Sequence, residues 1–141
     1  MPTPSPYELH PIGHVESPLT DPDAAPKQGD EGSPDAWLVF EPHVAEALRD
    51  LEVGAEVLLF TWLDRAQREV LSVHPRGDRR NPRLGVFSTR SPHRPNPIGL
   101  HRVEILAIEG QGLRLQVRNL EALDGTPIVD VKPVLEPLGE R

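Results

Sequence analysis

The chain has 141 residues and a net charge of −7, a length that suits one domain around a single core. Apolar residues make up 37%, with only three Phe, two Trp and one Tyr, so the core must rest on Leu, Val, Ile and Ala. The lack of cysteine excludes disulfides, thiolate metal sites and cysteine nucleophiles, the acidic balance argues against a surface that coats nucleic acid generally, and no apolar run approaches the roughly 18–20 residues of a membrane helix.

Met1 to Pro6 is Pro/Ser-rich without a basic region or an apolar stretch, which does not read as a signal peptide. It is expected to be disordered, and the protein is expected to be cytoplasmic, with residues 1–141 as one domain. Tyr7 to Val15 is a strand candidate around Ile12. Glu16 to Ala36 holds four prolines, two glycines and several acids, which predicts a long loop of the kind that is usually functional or disordered. Trp37 to Phe40 is a short buried strand. Glu41-Pro42 then opens a predicted helix, with Val44, Ala45, Leu48 and Leu51 at helical spacing and Gly54 closing the turn. Glu56 to Leu63 is a strong strand and Glu69 to Val73 a weaker one. Pro75 to Arg83 is a basic loop, and Arg83 to Thr89 a further strand.

Gly85 to Leu100 then packs three prolines, two arginines and an asparagine into sixteen residues. Each proline fixes its own φ, lacks an N–H and pushes its predecessor (Ser91, Arg94 or Asn96) toward extended geometry. The segment is therefore stiff, and it aims its polar side chains as a preorganised site for a polar, partly anionic ligand. Leu100 to Ile108 alternates as a strand, with Leu100, Val103, Ile105 and Ala107 assigned broadly to one side. Glu109 to Gly112 turns it into Leu113 to Val117, a hairpin signature. Leu123 to Pro127 is a tight turn and Ile128 to Leu135 the last strand. Seven strands against one short helix, without βαβ units, predict an all-β fold: a mainly antiparallel β-barrel.

The charge is unevenly spread. Arg76 to Arg102 contains seven arginines and one acid, a local charge of +6 on a remainder of −13, which suits a focused anionic ligand. Arg76, Arg79 and Arg80 are equally readable as solvated or acid-paired. No Gly-rich phosphate loop, dinucleotide fingerprint, metal-ligand His pair or G-x-S-x-G elbow is present, so no metal is expected. Two regions remain for chemistry: the stiff Arg90–Leu100 segment, and Asp124-Gly125-Thr126-Pro127 with Asp130-Val131-Lys132-Pro133. Asp130 and Lys132 lie one strand period apart and share a face, as a surface ion pair or a ligand-facing pair.

The run F-S-T-R-S-P-H-R-P-N-P-I-G-L, followed by a hairpin and L-D-G-T-P-I-V-D-V-K-P, closely resembles the TsaA-like family of β-barrel methyltransferases, which includes the TrmO-type tRNA methyltransferases. Pro11 to Pro18 (P-I-G-H-V-E-S-P) and Ala25 to Gln28 (A-P-K-Q) resemble that family's opening motifs, and the likeness runs from about Leu9 to Leu135. The resemblance implies an antiparallel barrel that binds S-adenosylmethionine and dimerises with the cofactor near the subunit interface. It also implies methylation of N6 of threonylcarbamoyladenosine in tRNA. Residue by residue, it places Arg90, Ser91, Arg94, Asn96, Pro97, Ile98, Gly99 and Leu100 in the cofactor motif. Asp124, Gly125, Thr126, Asp130, Lys132 and Pro133 fall in the second motif. Lys27 and Gln28 stand where the family often has an Arg-Gln pair on a loop that reaches the site. Longer members carry a further C-terminal domain for tRNA handling; this sequence ends at Arg141.

The chemistry agrees with those positions. An arginine fork suits the cofactor carboxylate, and Asp124 or Asp130 its ammonium or ribose hydroxyls. Methyl transfer is an in-line displacement served mainly by positioning. A base is needed only to collect the acceptor proton, and His93 and Asp124 are both candidates. Arg76, Arg79, Arg80 and Arg83, with Lys27 and Gln28, are candidates for meeting the anionic substrate. Two other readings fit the same residues: a non-catalytic S-adenosylmethionine-binding or regulatory barrel, and an RNA- or anion-binding barrel using only the arginines.

Overall fold

The computed structural model describes residues 7–20, 35–75 and 78–135. Lys27, Gln28 and Arg76 therefore lie outside the described residues, as does most of the predicted long loop. The described chain contains eight strands: β1 (Gly13–Glu16), β2 (Ala36–Phe40), β3 (Glu56–Trp62), β4 (Ser72–Val73), β5 (Leu84–Gly85), β6 (Ile98–Glu109), β7 (Arg114–Arg118) and β8 (Pro127–Pro133). Six of them close into a barrel in the order β1-β2-β7-β6-β3-β8, with β4 and β5 forming a separate two-stranded ribbon. Every pairing in the ring is antiparallel, as the lack of βαβ units requires.

Alternation builds the ring. Along β2, Ala36, Leu38 and Phe40 point inward; along β3, Val57, Leu59 and Thr61; along β7, Leu115 and Val117. Val15, Val103, Ile105, Leu120 and Ile128 complete a core that is aliphatic apart from Phe40, as the composition demanded. Burying each such side chain contributes about 1.5–3 kcal/mol.

Several expectations change in detail: the strand expected over Tyr7–Val15 is Gly13–Glu16, and that expected over Glu69–Val73 is only Ser72–Val73. The predicted helix is a 3₁₀ segment, Pro42–Leu48, with none of its residues fully buried. Its bonds run from Val44 N–H to Glu41 C=O and from Arg49 N–H to Glu46 C=O. Arg49 leaves helical geometry at ψ 143° and Asp50 turns left-handed at φ 76°, so the run is too short for a cooperative α-helix. Val44, Leu48 and Leu51 nevertheless rest on the core as the spacing implied.

The expected strand from Arg83 to Thr89 is only Leu84–Gly85. A 3₁₀ turn, Val86–Ser88, follows and buries Val86.

On β6, inward positions run Gly99, His101, Val103, Ile105, and Leu100 faces outward. A register shift between Ile105 and Ala107 then leaves Leu106 as an extra residue. Past this bulge Ala107 opposes Gln116 and Ile108 opposes the buried Leu115, so Ile108, not Ala107, packs on the core.

Candidate functional site

The stiff segment lacks N–H donors at its prolines, so its carbonyls need partners from elsewhere. Arg94 supplies them. Its Nε donates to Ser91 C=O at 2.8 Å, and its Nη2 donates to Val86 C=O at 2.8 Å and Thr89 C=O at 2.6 Å. Hydroxyls close the remaining turns. Ser91 N–H donates to Thr89 Oγ1 and His93 N–H to Ser91 Oγ. A second arginine pins the far end: Arg68 lies over the Trp62 ring at 5.2 Å and donates to Pro95 C=O and Asn96 Oδ1. Backbone bonds from Leu63 N–H to Pro97 C=O and from Arg94 N–H to Gln67 C=O join the segment to the chain leaving β3.

This braced loop walls a cleft of about 950 Å³ against the ring. Arg90, Ser91, Arg94, Ile98, Gly99, Leu100 and Thr126 line it, bringing together seven of the residues singled out in the sequence. Among the described residues no hydrogen bond or ion pair engages the guanidinium of Arg90, whereas two of the three nitrogens of Arg94 are committed to the loop. Phe87, Thr89, Arg90 and Ser91 also line a second cleft, of about 920 Å³, on the other side of the wall. That cleft is cationic through Arg79, Arg83 and Arg90, and His74 and His93 also line it.

The other expected residues have different placements. Asn96 is held by Arg68, and Pro97 is buried behind the loop. Asp124 accepts Ser17 N–H at 3.0 Å on Oδ1, and its own N–H donates to Leu19 C=O. With Gly125, at φ 85°, it forms an exposed turn that fastens the chain after β1. Asp130 and Lys132 form an exposed ion pair at 3.3 Å. Asp130 lies opposite Phe60 and Lys132 opposite Leu58, on the outward side of the ring. His93 lines the second cleft, and its Nδ1 accepts Gln67 N–H at 3.0 Å. Arg80 is bidentate on Asp78, whose carboxyl those hydrogen bonds hold below its ordinary value. Arg83 donates to Ser72 C=O and Oγ.

The cleft also contains residues that the sequence reading passed over. Glu56 and Arg102 form a bidentate pair at its rim, with distances of 3.1 and 2.8 Å. The Arg102 hydrogen bond lowers the Glu56 carboxyl, and Glu56 raises the Arg102 guanidinium. At the floor lie His101 and Glu121. His101 Nδ1 is 2.6 Å from Glu121 Oε1, and His101 Nε2 is 2.8 Å from the buried Thr61 Oγ1. The carboxylate fixes the tautomer: Nδ1–H donates to it, and Nε2 accepts the threonine hydroxyl. Gly99 makes the contact possible, because a Cβ there would collide with Thr61 Oγ1 and His101 Nε2. Strand parity was the available signal. Val103 and Ile105 face inward, hence His101 does too, and a buried histidine requires a partner.

A family model described as the tRNA-methyltransferase O N-terminal domain matches residues 14–138. The chain belongs to this family. Relatives include the "S-adenosyl-L-methionine-binding protein" of Archaeoglobus fulgidus, 43% identical over 88% of this chain and 86% of its own length. The "probable S-adenosyl-L-methionine-binding protein" of Methanothermobacter thermautotrophicus is 42% identical over 92% of this chain and 91% of its own. A longer A. fulgidus relative with that description is 44% identical over 89% of this chain, which spans 33% of its length. A crystal structure of TrmO from Pseudomonas aeruginosa superposes with a TM-score of 0.73 at 29% identity, covering 99% of this chain and 61% of that one. The TrmO N-terminal fold is thus the fold of this chain, and the curated relatives it matches bind S-adenosylmethionine by name.

Proposed function

We propose that the chain is an S-adenosylmethionine-dependent methyltransferase acting on N6 of threonylcarbamoyladenosine in tRNA. The observation that carries this reading is the braced cleft. It offers the Arg90 fork, the Glu121 carboxylate and the apolar side chains of Ile98 and Leu100 within a volume suited to one nucleoside-sized ligand. That donor set fits the cofactor, which has a carboxylate, cationic groups and a flat adenine. When bound, S-adenosylmethionine supplies an electrophilic methyl group on a sulfonium.

The protein's own work is to bind and orient. Arg90 takes the carboxylate with a planar fork. Arg94 keeps the wall in one conformation, which reduces the ordering cost of binding. Ile98 and Leu100 exclude water from one side of the adenine. Arg79 and Arg83, in the adjoining cationic cleft, receive phosphates of the RNA, so binding falls as salt rises.

The outward pairs Phe60–Leu100 and Trp62–Ile98 leave Leu100 39% and Ile98 45% exposed beside the cleft. We assign that apolar strip to a second copy of the chain, which would bring the cofactor close to a subunit interface.

A second reading is cofactor binding without transfer. It is favoured by His93 and Asp124, the two expected bases: neither lines the cofactor cleft. One assay separates the readings. The chain is incubated with methyl-labelled cofactor and tRNA from a strain lacking the modification enzyme. Label in N6-methylated threonylcarbamoyladenosine is expected; cofactor binding with no label in any tRNA pool overturns the tRNA reading.

A further inference from the structure

The Thr61–His101–Glu121 chain is the one buried polar network facing the cleft among the described residues. The His101 side chain is 5% exposed and that of Glu121 19%, so both ends of the contact are withdrawn from bulk water. Four arginines line the same cleft (Arg65, Arg90, Arg94 and Arg102), yet among the described residues Glu121 pairs with none of them. Its Oε1 is fixed by His101. The same cleft is lined by Leu63, Ala122 and Leu123 as well as by Asp64, Asn119 and Thr126. A largely buried carboxylate keeps its charge at least cost when a cation stands beside it.

We propose that Glu121, oriented by His101 and Thr61, reads the sulfonium charge of the cofactor, so that the cleft holds S-adenosylmethionine more tightly than its uncharged thioether product. This rests on the cofactor reading above. Three groups of the cofactor are possible partners, and the geometry separates them. A ribose diol is best matched by both oxygens of a carboxylate, but Glu121 has one of them engaged. An ammonium brings three N–H donors and needs several converging acceptors, whereas Glu121 offers only the oxygen that His101 leaves free. A sulfonium has no donors, and a nearby fixed negative charge suffices. Methyl transfer removes that positive charge, so the same carboxylate weakens the hold on product. His101 is a positioning residue: it locks the carboxylate through Nδ1–H, and Thr61 locks the ring.

The test is calorimetric titration of three nucleosides. They are S-adenosylmethionine, S-adenosylhomocysteine, and sinefungin, in which a carbon replaces the sulfonium sulfur and a protonated amine its methyl group. Glu121→Gln is expected to lose about tenfold affinity for the two charged ligands and less than twofold for S-adenosylhomocysteine. His101→Ala should show the same selective loss, and His101→Asn, which keeps a donor near the Nδ1 position, should recover most of it. If Glu121→Gln does not fold, Glu121→Asp, which keeps the charge but shortens the reach, should shift the same ratio in the same direction. Equal loss for all three ligands overturns the proposal in favour of an ammonium or ribose contact. Unchanged binding with lost methyl transfer overturns it in favour of a base. A parent chain that binds none of the three overturns the cofactor reading itself. A parent chain whose charged-to-neutral ratio equals that of Glu121→Gln overturns only the present inference.

Discussion

The ring and the loop that leans on it are held by different forces. The ring is stabilised by aliphatic burial: Leu38, Ile105 and Leu115 are at most 1% exposed, and their cross-strand partners are apolar. Of residues 86–96 only Val86 is buried. That loop is ordered by arginines and hydroxyls bonded to its own carbonyls. Stability should therefore be concentrated in the ring and ligand competence in the loop, with β3 and β6, which carry Thr61, Gly99 and His101, serving both.

Substitutions can break or sharpen that division. Leu115→Ala, on β7 and away from the cleft, should destabilise the fold most, by about 3 kcal/mol in chemical denaturation, with ligand affinity unchanged wherever the protein remains folded. Gly99→Ala tests the shared ground. The added methyl must displace Thr61 or His101, costing about 1–3 kcal/mol and weakening the cofactor affinity as well; an effect on stability alone would detach the relay from the site. Arg94→Ala should move the melting temperature only a little but lower cofactor affinity at least tenfold, because the loop loses three bonds and its fixed shape. Unchanged affinity would show that the cofactor does not use this wall. Arg90→Ala should lower affinity several-fold and leave stability within about 0.5 kcal/mol. The smallest effect is expected at the rim. Arg102 lowers the Glu56 carboxyl, so that pair stabilises above the ordinary carboxylate range and its contribution is lost as pH falls. Both groups are exposed, and solvent screening makes the effect small. Acid unfolding curves of Glu56→Gln and the parent should nearly coincide.

The ring was largely legible in the sequence. Two-residue alternation in β2, β3 and β7 is a local property, and the hairpin at Gly110–Gly112 announces itself through its glycines. Bulges are not local in this sense: the extra residue at Leu106 changes which side chain turns inward, and only pairing with β7 reveals it. Within the site, the stiffness of the loop could be read from its prolines, but the division of labour between its arginines could not. Arg90 and Arg94 look equivalent in R-S-P-H-R. One projects into two clefts while the other is spent on backbone carbonyls, a difference set by where the chain folds back. Asp124 shows the converse. A conspicuous acid in a turn motif bonds the backbone of a segment more than a hundred residues away, while Glu121, three residues earlier and in no motif, faces the cleft.

Closure of the ring has one more consequence. An open sheet carries two rows of unpaired backbone groups that can recruit a further strand from another molecule. Here β1 and β8 pair with each other, so the six-stranded sheet has no terminal strand that is unpaired along a whole side. β4 and β5, two residues each, are too short to template growth, and the stretches of β6 and β8 that pair on one side only are short segments inside the ring. Closure therefore favours association between copies through side-chain faces of matching shape. The same feature protects a β-rich chain with few helical residues from edge-to-edge aggregation at high concentration.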